Sequence, residues 1–309
     1  MILQNIYTIN HKITDLLQSN QPGCLIRLDN TVGYILDCIF KDKDPVDEFY
    51  NPDVFLQGGM YPATKEYYRN EIIPRLVKTL YRADILGVVD ISDEIQNSNF
   101  FDNFKSVPYK FAGRNNHYIL DPGGLMGYSP ASHFKLDNPW TKFLKGKRVL
   151  AISTHAETIK QQWEKIDDIW GDDRELIAPF ELVDCIRSPY HPSMDNRQPP
   201  DCEHWLQSVE FICKQMDNYD YDVLLAGCSS SAPFYVNHAK LKDKVGIQVG
   251  GVLQLYFGIL GYRWTKVPGH SEWSNMYNDH WIYPLKVDQA NNKDTKAGLG
   301  INLVGTESI

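Results

Sequence analysis

Short apolar runs alternate with amphipathic stretches along this chain, and that alternation predicts its elements. Residues 6–17 carry apolar positions at helical spacing, and CLIRL at 24–28 reads as a strand. Residues 64–81 predict another helix, which leads into ADILGVVD, a second buried strand. VLAI at 149–152 follows, then one helix over 154–170 with Ile159, Trp163, Ile166 and Trp170 along a single face. A helix over 205–216 precedes VLLA at 223–226, a run short enough for a strand buried on both faces. Next come a small-residue loop, a helix with Pro233 as its first residue, a strand at 245–249, a Gly250-Gly251 turn and a helix from about Val252. Strands alternate with helices throughout. The expected fold class is α/β, Rossmann-like, with a largely parallel sheet flanked by helices.

Between these elements lie segments of turn-forming composition. Residues 42–62 form an acidic loop with Pro and Gly, 92–116 read as helix plus loop, and 186–203 read as a long loop with four prolines. The turn-rich stretch 120–140 is the best boundary, dividing an N-terminal α/β half (1–120) from a second (137–290), with a frayed tail over 291–309. The alternative is one continuous domain.

The strand ends carry the candidate chemistry. The loop Gly227, Cys228, Ser229, Ser230, Ser231 and the turn Gly250-Gly251 each open onto a predicted helix N-terminus. Free N–H groups and the helix dipole there favour an anion such as a phosphate. The plainer reading is that Gly, Ser and Pro form turns whatever the ligand. Neither G-x-G-x-x-G nor G-x-x-x-x-G-K-[ST] occurs. Arg27 and Asp29 end the first strand, where a guanidinium suits a diphosphate and a carboxylate suits a sugar hydroxyl or an acceptor proton. Otherwise Asp29 simply caps the following helix.

After the 149–152 strand, Thr154 and Glu157 fit a capping box. His155 is a candidate base or ligand contact, and Thr154 and Thr158 are candidate phosphate donors. Gln254 and Arg263 lie on and after the last helix and are candidate ligand contacts, whereas Trp264 reads as packing. His280 and Trp281 suit a sugar site or a packed C-terminal segment equally well. The acidic group Asp42, Asp44, Asp47 and Glu48 reads as a solvated loop rather than a cation site.

The chain has 309 residues, net charge −8 and six cysteines with no C-x-x-C pair. That charge argues against nucleic acid as a partner, because duplex binding relies on Lys and Arg neutralising phosphates. Scattered thiols suit a reducing compartment. Residues 1–18 lack the continuous apolar core of a signal peptide, and no stretch approaches a membrane span. Cytoplasmic localisation is the expectation.

Four segments appear in order: LKGKRVLAISTHAETI after Pro139-Trp140, DVLLAGCSSSAPF, IQVGGVLQLYFGILGYRW and NDHWIYP. Over about residues 137–285 their order and spacing resemble the GT-D-type glycosyltransferase family. The resemblance implies transfer of a hexose from a nucleotide-sugar donor, UDP-linked by preference, to a glycan or glycoconjugate hydroxyl. It places the diphosphate on the 227–231 loop, the Gly250-Gly251 turn and Arg27. The family's first strand ends in Arg-h-Gly-Asp-Gly-Glu, or Arg-h-Gly-Asn-h-Glu in some branches, and its Asp-x-Glu pair meets metal and donor. Here Arg27 matches the Arg, Asn30 the Asp and Val32 the Glu, while Asp29 stands on a glycine position. We therefore assign no metal ligand and expect weak or absent dependence on divalent cations such as manganese. Asp29 is the first choice for the catalytic carboxylate, and His155, which replaces an apolar family residue, is the second. Gly250→Val is expected to exclude the donor while sparing the fold. The alternative is a non-catalytic nucleotide- or carbohydrate-binding protein on a decayed transferase scaffold. A third reading, another Rossmann-like enzyme acting on a phosphorylated metabolite, explains the helix N-termini but not the ordered motif series.

Overall fold

Each apolar run bounded by turn residues becomes a strand in the computed structural model, which describes residues 6–19, 21–28, 35, 43–49, 60–62, 64–88, 119–120, 138–188, 201–261, 264–265 and 271–289. The strands are β1 (Gly23–Leu28), β2 (Ile85–Val88), β3 (Ile119–Leu120), β4 (Arg148–Ser153), β5 (Glu181–Arg187), β6 (Val223–Gly227) and β7 (Val245–Gln248). They form one sheet in the order β3-β2-β1-β7-β6-β4-β5, and every pairing is parallel. Because β1 pairs with β7, the two halves read from the sequence share a single sheet.

Alternation along the strands feeds two cores. Ile26, Leu86, Leu150, Ile152, Leu224 and Ala226 point to one face, against three helical elements. These are α3 (Lys65–Tyr67, a π-helical turn Tyr68–Ile72, then Ile73–Leu80), α6 (Trp205–Met216) and α7 (Ala232–Leu241). Leu25, Val149, Ala151, Val223 and Leu225 point to the other, against α1 (Ile6–Gln18), α4 (Ala156–Trp163), α5 (Ile166–Trp170) and α8 (Leu253–Tyr256). The short α2 (Pro45–Phe49) opens on Asp44, whose carboxylate accepts the Val46 N–H at 2.8 Å. The expected α/β, Rossmann-like class is therefore the class observed. Among the described residues no helix is long and apolar enough to cross a membrane.

The chain passes from β4 through α4 to the edge strand β5, then crosses back to place β6 on the other side of β4. Consequently α4 leaves β4 toward one face while α7 leaves the neighbouring β6 toward the other. That reversal opens a crevice at the carboxyl ends of β4 and β6, the position where open parallel sheets bind ligands.

The structure corrects several local expectations. The helix over 154–170 is two helices broken at Glu164-Lys165. The break lets Trp163 stack on Phe180 at 4.5 Å, while the Trp170 indole N–H donates to the Tyr256 carbonyl at 2.9 Å. Tertiary packing overrides local propensity there. The edge strand β5 was not expected, and it carries the chain to Arg187, so the 186–203 loop begins later than proposed. Near the expected boundary, Ile119–Leu120 pairs with β2 and Trp140–Leu144 is a 3₁₀ turn. The expectations for 92–116 and the 291–309 tail lie outside the described residues.

Gly246 on β7 measures how closely α7 sits on the sheet. A Cβ there would lie 2.5 Å from the Val236 carbonyl oxygen and 2.6 Å from its Cα. Backbone cannot move aside as a flexible side chain can. Gly246→Ala should cost roughly 1–3 kcal/mol, the usual range for overpacking. A urea midpoint lowered at unchanged slope would bear this out, and a wild-type midpoint would show that α7 packs more loosely.

Candidate functional site

The strand ends form a row across the carboxyl edge. Arg187 of β5, Ser153 of β4 and Gly227 of β6 are successive register partners. Farther along, the Gln248 side-chain oxygen on β7 accepts the Arg27 backbone N–H of β1 at 3.0 Å, tying those two strand ends together. Strand spacing puts β5 and β1 roughly 19 Å apart. Arg187 and Arg27 therefore bracket the edge and cannot clamp one diphosphate together.

Two helix N-termini converge on the crevice between β4 and β6, those of α4 and α7. This differs from the sequence reading, which paired the helices after β6 and β7. The element after β7 is a 3₁₀ turn at Gly250–Val252 followed by four residues of α8, too short for a useful dipole. Gly250 has φ +73°, a conformation that favours glycine for backbone reasons alone. The expectation that Gly250→Val would spare the fold is therefore withdrawn, since a β-branched residue is strained there. Gly227 is small for a different reason, close approach. A Cβ on it would lie 2.7 Å from the Gly250 carbonyl oxygen and 2.8 Å from Leu253 Cβ.

At the α4 N-terminus the expected capping box does not form. His155, not Thr154, occupies the cap position and makes no capping bond, while Glu157 faces Lys160 at 3.6 Å. The anion position of this helix is filled by the chain's own Asp288. Its Oδ2 accepts both the Thr158 N–H and the Thr158 hydroxyl at 2.6 Å, and its Oδ1 lies 2.7 Å from Arg187 Nη2. The Thr158 hydroxyl also receives the Leu285 N–H at 2.9 Å. Thr158 is thus structural rather than a phosphate donor. Arg187 further donates to the Val287 carbonyl at 2.9 Å, so the C-terminal segment is latched over the ends of β4 and β5.

His155 sits beside this latch. It is 7 % exposed, its backbone N–H donates to the Ser153 hydroxyl at 3.1 Å, and its Nδ1 is buried without a hydrogen-bond partner. Burial pulls its pKa down to about 4, with Asp288 opposing and Arg187 reinforcing the shift. Thr154 is half-buried in the same turn.

At the α7 N-terminus, Ser229 is exposed and holds φ +47°, a region non-glycine residues seldom enter. Ser230 is buried, and the Ser231 hydroxyl accepts the Trp205 indole N–H at 2.9 Å. Burial pushes the Cys228 thiol up, so it stays protonated and inert. Gln254 is also committed internally, its side-chain N–H donating to the Ile259 carbonyl at 3.1 Å. Ser231 and Gln254 are accordingly removed as side-chain ligands.

Asp29, Asn30 and Arg263 lie outside the described residues. Trp264 is 1 % exposed, as packing requires, and Trp281 packs on Trp170 and Tyr277, with His280 exposed beside it. NDHWIYP is thus a packed segment. Asp44 and Asp47 bind Arg69 at 2.6 and 2.9 Å, so these two acids anchor their segment to α3. Among the described residues no three His, Cys, Asp or Glu side chains gather as a metal site. Arg187, Ser153 and Asp288 escaped the sequence reading. Only the short apolar alternation of ELVDCIR between Pro179 and Pro189 could have signalled Arg187.

Compared with models of known protein families, with curated proteins and with solved structures, the chain matches none.

The depressed pKa of His155 fixes a pH dependence. The unfolded chain binds its proton near pH 6.5 and the folded chain only near 4. Stability from this residue is full above pH 6.5, falls as pH drops and is lost by about pH 4, in total on the order of 3 kcal/mol. Across pH 7, 5.5 and 4 the urea midpoint should fall less steeply in His155→Gln than in the wild type, because glutamine has no charge to gain. An equal pH slope in both proteins would contradict the buried, neutral imidazole.

Proposed function

We propose that the protein is a nucleotide-sugar-dependent glycosyltransferase of GT-D type, moving a hexose from a UDP-linked donor to a glycan hydroxyl. One observation carries this reading. The β4–β6 switch is flanked by two helix N-termini, and at the start of one of them His155 keeps a buried imidazole nitrogen with no partner. With Asp288 occupying α4, the α7 N-terminus remains for the diphosphate, where backbone N–H groups and the Ser229 hydroxyl stabilise the departing charge. Arg27 lies two strands from Gly227, roughly 10 Å, within reach of a diphosphate seated there.

His155 is neutral at pH 7 and acts first as a hydrogen-bond acceptor for a ligand hydroxyl. A pKa near 4 makes a weak base, since general bases work best with pKa near the operating pH. A diphosphate bound nearby raises that pKa, so base strength grows as the donor binds. Asp29 remains the first candidate for the catalytic carboxylate, and its role rests on the sequence resemblance. No step here runs through a metal.

The non-catalytic alternative draws support from Ser231 and Gln254, whose side chains are committed within the protein. Thermal shift with UDP and UDP-hexoses, followed by a transfer or hydrolysis assay, separates the two. The transferase reading expects UDP to raise the melting midpoint by mass action. It also expects His155→Gln to keep that shift while lowering turnover roughly 10²-fold. A UDP shift without any turnover selects the binding protein. No shift with any nucleotide diphosphate sinks the transferase and the nucleotide-binding protein alike, and leaves only a carbohydrate-binding scaffold.

A further inference from the structure

We propose a second, saccharide-binding site at the opposite, amino-terminal edge of the sheet. A cavity of about 260 Å³ opens there between the C-terminal ends of α3 and α7. That volume is below the roughly 300–1,000 Å³ of drug-sized sites and on the scale of one sugar ring.

Its polar groups are held in place by the fold. Asp84 lies just before β2, and its Oδ2 accepts the Cys24 N–H at 2.8 Å. Its Oδ1 accepts from Lys240 Nζ at 2.8 Å, and the same ammonium donates to the Arg82 carbonyl at 2.7 Å. Asn237 stands one helical turn before Lys240 and Leu241 on α7, so all three share a face. Asn237 is 6 % exposed, yet it lines the cavity and its Oδ1 has no hydrogen-bond partner. A turn of the side-chain amide brings that acceptor to the cavity, where a donor from whatever enters satisfies it.

The charge balance identifies the class of ligand. Lys240 already neutralises Asp84, which leaves the exposed Arg82 as the one uncompensated charge among the lining residues. A single solvated guanidinium is adverse to a cation and, by itself, holds a strong anion only weakly. What remains is a mixture of acceptors and donors beside the Tyr81 ring and the exposed Leu241 side chain. Hydroxyl groups serve as donor and acceptor at once, and a pyranose presents apolar C–H faces to an aromatic wall. A neutral sugar ring meets each requirement. The site needs no nucleotide and stands apart from the carboxyl-edge crevice.

The test is side-chain amide NMR of the whole chain during titration with methyl glucoside, galactose and N-acetylglucosamine. At least one sugar should move the Asn237 amide resonances saturably, and in the wild type UDP should leave them unmoved. Arg82→Ala, an exposed change, should weaken that binding severalfold without altering the melting midpoint. Asn237→Leu should weaken it roughly tenfold, the worth of one neutral hydrogen bond, as read from the Lys240 and Leu241 backbone signals. If Asn237→Leu does not fold, Arg82→Ala alone decides. Asn237 resonances indifferent to all three sugars, or sugar affinity unchanged in the variants, overturn the proposal. Failure here leaves the transferase reading intact, because UDP binding is scored at the other edge.

Discussion

The site depends on one topological constraint, the return of the chain across β4. Parallel strands cannot be joined by hairpins, so each connection must cross a face of the sheet and bring a helix with it. When the chain leaves β5 and re-enters beside β4 as β6, the helices after β4 and β6 must lie on opposite faces. Close approach then fixes the walls: α7 rests on Gly246, and the turn at Gly250 rests on Gly227. These contacts leave no room for a side chain at either glycine, so backbone meets backbone at both places, with Leu253 closing the second.

Electrostatics divides labour between the two helix ends. α4 receives an internal anion, Asp288, wholly buried and held by Thr158 and Arg187. A buried carboxylate is tolerable only with such partners, and removing one leaves a costly unpaired charge. The latch therefore anchors the C-terminal segment and sets the field around His155. α7 receives no comparable carboxylate among the described residues, and the 3₁₀ turn Ser229–Ser231 that leads into it holds Ser229 in a left-handed conformation. Strain of that kind persists where the surroundings enforce it, often at ligand sites.

Much of the fold was legible because its signal is local. VLLA and VLAI are buried on both faces and read as continuous apolar runs, and the helix faces show their period directly. β5 was missed because an edge strand is half polar and carries no such run. The site was legible only in part. Loops at strand ends can be located from their small residues, which singles out Gly227 and Ser229, and His155 stands out as the residue after a strand at a predicted helix start. What each loop does depends on distant partners. Asp288 meets Thr158 across 130 positions, and Trp205 reaches Ser231 across 26. No local pattern announces either contact. Gly250 looked like a phosphate-approach glycine, yet its positive φ accounts for it without a ligand.

Hydrogen–deuterium exchange with and without saturating UDP tests the central claim most directly, because it reports where a ligand touches the backbone. Amides at 228–232, which open α7, should exchange more slowly with UDP bound, with a smaller effect in the turn at 154–156. The amino-terminal edge around Asp84 and Asn237 should not change. Protection confined to some other strand end, or absent from 228–232 under saturating nucleotide, would contradict a ligand site at the β4–β6 crevice.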